Sequence, residues 1–119
     1  MQRTIFSDFL HTWMVDKNYE GAWRRHVDRN YIQHNPWVLS GRDNAITALS
    51  AIVPFSNFTL LHSGFDDDKG WAHYRWDAPN TTMPNAVMDL FRFNGTCIVE
   101  HWDVIQSKPV TTTNPLAMW

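Results

Sequence analysis

The chain contains one cysteine, Cys97, no long apolar run and no marked excess of either charge. A single cysteine excludes an intramolecular disulfide framework and fits a reducing compartment. No stretch approaches the roughly 20 apolar residues that a membrane-spanning helix needs. Near the N-terminus, Ile5 and Phe6 give way at once to Ser7 and Asp8, unlike the apolar core of a secretion signal. The expectation is a soluble cytoplasmic protein. A formal net charge of −2 leaves no electrostatic footprint for nucleic acid or an anionic membrane, so neither is expected as a partner. Phosphate loops, dinucleotide fingerprints and Gly-x-Ser-x-Gly elbows are also missing. No cofactor is expected, and any chemistry must come from side chains and positioning.

Aromatic residues, by contrast, are plentiful. Seven Trp and seven Phe in 119 residues point to an aromatic-rich core, pocket or interface. The length suits one domain able to bury a core without staples. Ile5, Phe6, Phe9, Leu10, Trp13 and Met14 recur at helical spacing, which predicts a first helix over about residues 4–15. Asn18 can cap a second helix carrying Tyr19, Ala22, Trp23, His26 and Val27 on one face, ending before Pro36. A third is expected over about 42–53, with Ala45, Ile46, Leu49 and Ile52 inward and Pro54 as the stop. Strands follow at 57–65, 71–77 and in a hairpin over 86–106, whereas the tail from 109 to 119 lacks periodicity and reads as an extended arm. Helices first and antiparallel strands after define an α+β domain over residues 1–108.

The hairpin carries the most chemistry. A loop of Asn94, Gly95 and Thr96 would set Asp89 opposite His101, Val87 opposite Asp103 and Phe91 opposite Val99. A two-residue Asn94-Gly95 loop would instead oppose Asp89 and Glu100, and like charges across a ladder are destabilising. The three-residue register gives one face with Val87, Asp89, Phe91, Phe93, Val99, His101, Asp103 and Ile105. The other face holds Met88, Leu90, Arg92, Ile98, Glu100, Trp102 and Val104. Ionisable groups on an apolar face are costly unless paired, so the first face reads as a pocket.

Asp103 is the leading acid/base candidate, because an apolar cavity disfavours the charged carboxylate. His34, His73 and His101 could relay protons, though each could equally be a satisfied structural histidine. Their spacing lacks the short pairs of zinc sites such as HExxH, and no metal is expected. Asn35 could donate to a substrate carbonyl or simply hold the turn at Pro36. Asp89 could be the partner of His101, and Arg92 should pair with Glu100 on the outer face. Tyr31, Trp71, Arg75 and Phe91 complete the set of expected ligand contacts.

With this order of elements, the segment from Tyr31 through His34, Asn35 and Pro36, together with Gly41-Arg42, His73, Asp89 to Phe93 and Ile98 to Gln106, resembles the SnoaL-like polyketide cyclases of the NTF2-like superfamily. The likeness spans roughly residues 18–106. It departs at the hairpin exit, where Thr96-Cys97 replaces the usual Gly-Lys. The resemblance implies a cone-shaped α+β barrel, with three helices packed on a curved, mostly antiparallel sheet around a cavity. It also implies homodimers through the outer sheet face. In characterised cyclases of the family, the residue corresponding to Asp103 is the general acid/base of a cofactor-free aldol ring closure. The implied function is cyclisation or isomerisation of a hydrophobic carbonyl-bearing substrate. Two alternatives stand beside it. One is epoxide opening, as in the limonene epoxide hydrolases of this fold, with Asp89, Arg75 and Asp103 as an Asp–Arg–Asp bridge. The other is ligand binding without catalysis.

Overall fold

A computed structural model describes residues 1–119. Helix α1 (Gln2–Leu10) runs on into a wider helical turn at His11–Val15, and α2 spans Tyr19–His26. Strand β1 (Val27–Gln33) precedes α3 (Arg42–Ser50) and a short turn of 3-10 helix at Val53–Phe55. Strands β2 (Asn57–Asp66), β3 (Lys69–Asp77), β4 (Asn85–Asn94) and β5 (Cys97–Ser107) follow. The five-stranded sheet has the order β1-β5-β4-β3-β2, antiparallel except where β1 pairs parallel with β5. Three helices on one face of a mixed sheet match the expected α+β class. No helix is long and apolar enough to cross a membrane.

Helix α2 starts where the side chain of Asn18 accepts from the backbone N–H of Gly21 at 3.0 Å. A Cβ on Gly21 would lie 2.4 Å from that side-chain amide, so any larger residue would displace the cap. The helix stops much earlier than its polar pattern suggests. Val27 is already extended, with φ −104° and ψ 132°. The Asp28 side chain accepts from Asn30 N at 2.8 Å, a local bond that competes with helix. Parallel pairing with β5 then supplies the backbone partners, with an irregularity between Val27 and Ile32. Residues 27–33 are therefore strand rather than helix, which corrects the sequence expectation.

The core forms where α1 and α2 press on the concave face of the sheet. Phe6 packs on Phe91 and Phe93, with ring centroids 5.8 and 6.3 Å apart. Phe9 lies 4.7 Å from Trp23 and 5.2 Å from Phe91. Gly70 lets α1 come this close, since a Cβ there would meet the Phe6 ring at 2.6 Å.

The hairpin register also differs from expectation. Asn94 pairs with Cys97 across a turn of Gly95 (φ +59°) and Thr96, and Phe93 pairs with Ile98. Beyond that the register slips, because Arg92 faces Glu100 and Val99 is left as the extra residue of a bulge. Asp89 consequently faces Asp103, Phe91 faces His101 and Val87 faces Ile105. The shift from the expected pairing is two residues, so most side chains keep their assigned face. Ile98 is the exception: the bulge turns it inward, fully buried, while Val99 is only partly buried.

The tail forms no helix or strand. It turns at residues 115–118 and brings the ring of Trp119 within 5.2 Å of the Arg75 guanidinium carbon, back onto the convex face of the sheet.

Candidate functional site

Between the concave face and the helices lies a cavity of about 490 Å³, with 14 hydrophobic residues among its 19 lining residues. Trp13, Trp23, Leu49, Phe58, Trp76 and Phe91 are among the apolar ones. At its edge stand Trp37, 90% exposed, and Ile105, 42% exposed, so this end opens to solvent. The polar groups gather on one side, where Tyr31, Gln33 and Asn35 of the β1 segment meet Tyr74 of β3, Asp89 of β4, and His101 and Asp103 of β5.

Their hydrogen bonds form one directed network. The backbone N–H of Asn35 donates to Gln33 Oε1 at 3.0 Å, which fixes the orientation of that amide. Gln33 Nε2 then donates to the Tyr31 hydroxyl at 2.8 Å. Because Gln33 Oε1 can only accept, His101 Nδ1, 2.7 Å away, must carry its proton. On the opposite edge of that ring, Nε2 lies 3.0 Å from Asp89 Oδ1. The pattern therefore assigns a proton between His101 and Asp89, held by one or the other. Tyr74 donates to the remaining Asp89 oxygen at 3.0 Å.

Asp103 is held differently. The backbone N–H of Trp37 donates to Asn35 Oδ1 at 2.9 Å, which turns Asn35 Nδ2 toward Asp103 Oδ2 at 2.7 Å. Asp103 Oδ1 has no hydrogen-bond partner within the chain. Two aspartates thus face each other across the ladder, although like charges directly opposite are destabilising. The pairing is tolerated because Asp89 is engaged by His101 and Tyr74, and Asp103 by Asn35.

Burial dominates the electrostatics of the tyrosines. It pushes the Tyr31 hydroxyl up to about 12, against the donors Trp23 and Gln33, which lower it. Tyr74 is raised well above its usual value by burial first and then by the charge of Asp89. Both phenols keep their protons at neutral pH. The indole N–H of Trp13 is buried without a hydrogen-bond partner, at a cost of about 1–3 kcal/mol, while that of Trp23 is directed at the Tyr31 hydroxyl without forming a full hydrogen bond to it.

Of the residues expected at the site, Tyr31, Asn35, Asp89, Phe91, His101 and Asp103 line the cavity. His34, Trp71, His73 and Arg75 do not. Gln33 and Asn35 point inward, and the period of two sends His34 outward. There its ring stacks on Trp102 at 5.1 Å and its Nε2 lies 2.8 Å from Glu100 Oε2. In β3 it is Gly70, Ala72, Tyr74 and Trp76 that face the helices and cavity. Trp71, His73 and Arg75 share the convex face. His73 stacks on His62 with centroids 5.5 Å apart, and Arg75 pairs with Asp77 at 2.9 Å. Arg75 cannot bridge Asp89 and Asp103 from that face. The Arg92–Glu100 pair is present at 2.8 Å, and with His34 it holds the Glu100 carboxyl below its usual value.

Gln33 and Tyr74 are the polar cavity residues that sequence reasoning missed. Once residues 27–33 are read as strand, alternation from Tyr31 selects Gln33. Tyr74 follows from placing Ala72 inside.

Asp89, His101 and Asp103 bring potential metal-ligand atoms within 4.8 Å of one another. Only Asp103 Oδ1 among them is free of a partner within the chain.

Solved structures of low sequence identity share this architecture. An NTF2-like protein of unknown function from Cytophaga hutchinsonii superposes with a TM-score of 0.73 at 13% identity, covering 89% of this chain and 90% of that one. A candidate SnoaL-like polyketide cyclase from Jannaschia sp. CCS1 gives a TM-score of 0.71 at 13% identity, covering 87% of each chain. TsrD from Streptomyces laurentii gives 0.66 at 17% identity, covering 86% of this chain and 85% of that one. No curated protein matches the sequence. The fold is the NTF2-like cone of helices on a curved sheet. The SnoaL-like domain profile matches residues 7–101, and the chain belongs to that family.

Proposed function

We propose that the protein binds a small hydrophobic carbonyl-bearing compound in the cavity and cyclises or isomerises it without a cofactor. Asp103 acts as the general acid/base. One observation carries this reading: Asp103 has one oxygen fixed by Asn35 and the other unengaged, in a cavity whose remaining walls are mainly apolar. Such a carboxylate can take a proton from a carbon acid and return it to an oxygen without leaving its place. His101 replaces His34 and His73 as the histidine of the site. With Asp89 it keeps a proton in reserve behind Asp103, while Asn35 and Gln33 hold the geometry. The epoxide-opening reading loses its bridging cation, because Arg75 lies on the other face.

The test begins with mass spectrometry of compounds that co-purify with the wild type and with Asp103→Asn. Turnover of the compound so identified is then measured. Asparagine preserves shape and removes the titratable proton, so the variant should keep the compound and fail to convert it. Binding with no conversion by either protein would favour a binding module.

We also propose a homodimer through the convex face, where Trp71, Met88 and Val104 are exposed and soluble monomers rarely leave large apolar patches open. Light scattering should give twice the 14.0 kDa chain mass, and Trp102→Arg should yield monomer or aggregate. A stable wild-type monomer at micromolar concentration would refute it.

A further inference from the structure

The cavity wall holds one hydroxyl whose proton nothing in the chain accepts. The Tyr31 hydroxyl accepts from Gln33 Nε2, and no acceptor in the chain takes its own proton. Trp13 and Trp23 line the same cavity and are 3% and 6% exposed, with their indole nitrogens out of reach of solvent. The Trp23 indole lies close enough to the Tyr31 hydroxyl to ease its ionisation. These side chains are also held in place. Trp13 meets Trp23 edge to face at 5.8 Å, Phe58 at 5.1 Å and Tyr74 at 5.8 Å. Buried donors are almost always satisfied, so the Tyr31 hydroxyl beside a void calls for an acceptor from outside the chain.

The lining contains no lysine or arginine, and Asp103 stands within the same cavity. An anionic ligand group would face Asp103, and the only histidine in the lining is already paired with Asp89, which leaves an uncharged oxygen as the acceptor that fits. We propose that the Tyr31 hydroxyl, oriented by Gln33, forms a donor subsite for one uncharged ligand oxygen, a carbonyl or the enol derived from it. This rests on reading the cavity as a ligand site. It adds which wall receives the oxygen, and therefore which way round the ligand sits relative to Asp103. Neutral donors that keep their protons strengthen their hydrogen bonds as negative charge grows on that oxygen. The subsite would thus assist proton removal by Asp103 on the other side of the ligand.

The test uses three naphthalenes of nearly equal size titrated into the intact protein: 1-acetylnaphthalene, 1-isopropenylnaphthalene and 1-naphthoate. The ketone should bind about tenfold more tightly than the alkene, the gain expected of one well-placed hydrogen bond. The carboxylate should bind more weakly than the ketone. Tyr31→Phe should bring ketone and alkene close to equal affinity. A measurement on wild type guards against a variant that fails to fold: the carbonyl stretch of bound ¹³C-labelled ketone should lie below its value in hexane. Equal affinity for ketone and alkene, a hexane-like stretch, or no binding of the ketone would each overturn the assignment. The ketone preference should persist in Asp103→Asn. Loss of the preference with Asp103 still essential for turnover sinks the subsite alone, whereas an active Asp103→Asn with the preference intact sinks only the acid/base role.

Discussion

The two faces of strands β3, β4 and β5 use the same residue types to opposite ends. On the convex side, Glu100 binds Arg92 at 2.8 Å and His34 at 2.8 Å, and all its charge is answered by neighbours near solvent. On the concave side, Asp89 binds His101 and Tyr74, but the facing Asp103 keeps one oxygen free. A closed ion cluster on a wet surface contributes little to stability and nothing to chemistry. An incompletely engaged carboxylate in a cavity is available to react, and the network behind it limits the cost of burying it. A histidine beside a carboxylate therefore means different things on two sides of one sheet, and alternation along the strand decides which.

The sharpest way to break this contrast is turnover. Asp103→Asn should lower it by about 10²-fold or more, while His34→Ala and His73→Ala should stay within about twofold. A reversed order, measured on the compound found by mass spectrometry, would move the chemistry to the convex face.

Stability separates the faces next. Asp89→Ala strips partners from His101 and Tyr74, both buried, and should cost about 3–5 kcal/mol in urea unfolding. Glu100→Ala should cost much less. Similar losses for the two variants would show that the concave network is no more deeply buried in effect than the surface pair.

The smallest effects concern pH, where the two faces should fail at opposite ends of the scale. Tyr31 is raised from 10.0 to about 12, so its contribution is full below pH 10 and lost as pH climbs toward 12. Tyr74 is shifted the same way. Glu100 is lowered from 4.5, so its contribution is full above that value and lost as pH falls below it. Melting temperature should thus fall above pH 10, less steeply in Tyr31→Phe, and the Glu100→Ala profile should be flatter than wild type below pH 4.5. An alkaline limb unchanged by Tyr31→Phe would contradict the burial of that phenol.

Much of the architecture was legible because period and punctuation are local. The spacing from Ile5 to Met14 marks α1, and alternation in the hairpin places Asp89, His101 and Asp103 on one face even with the register off by two residues. What failed depended on distant partners. Residues 27–33 carry charges that fit a helix surface, yet they become strand because β5 offers a parallel edge. His73 and Arg75 were correctly grouped with Trp71, but which face of β3 looks inward is settled only when α1 packs over Gly70 and Ala72.

The sequence by itself was enough for the α+β class and the family, because these rest on residue identity, motif and short-range periodicity, and it put Asp103 forward as an acid/base candidate. The tertiary structure alone decided that Asp89 faces Asp103, that Gln33 fixes the proton on His101, and that Arg75 lies outside. Each of these depends on a bulge, a parallel pairing or a helix contact between residues far apart in the chain, where no local pattern records the outcome.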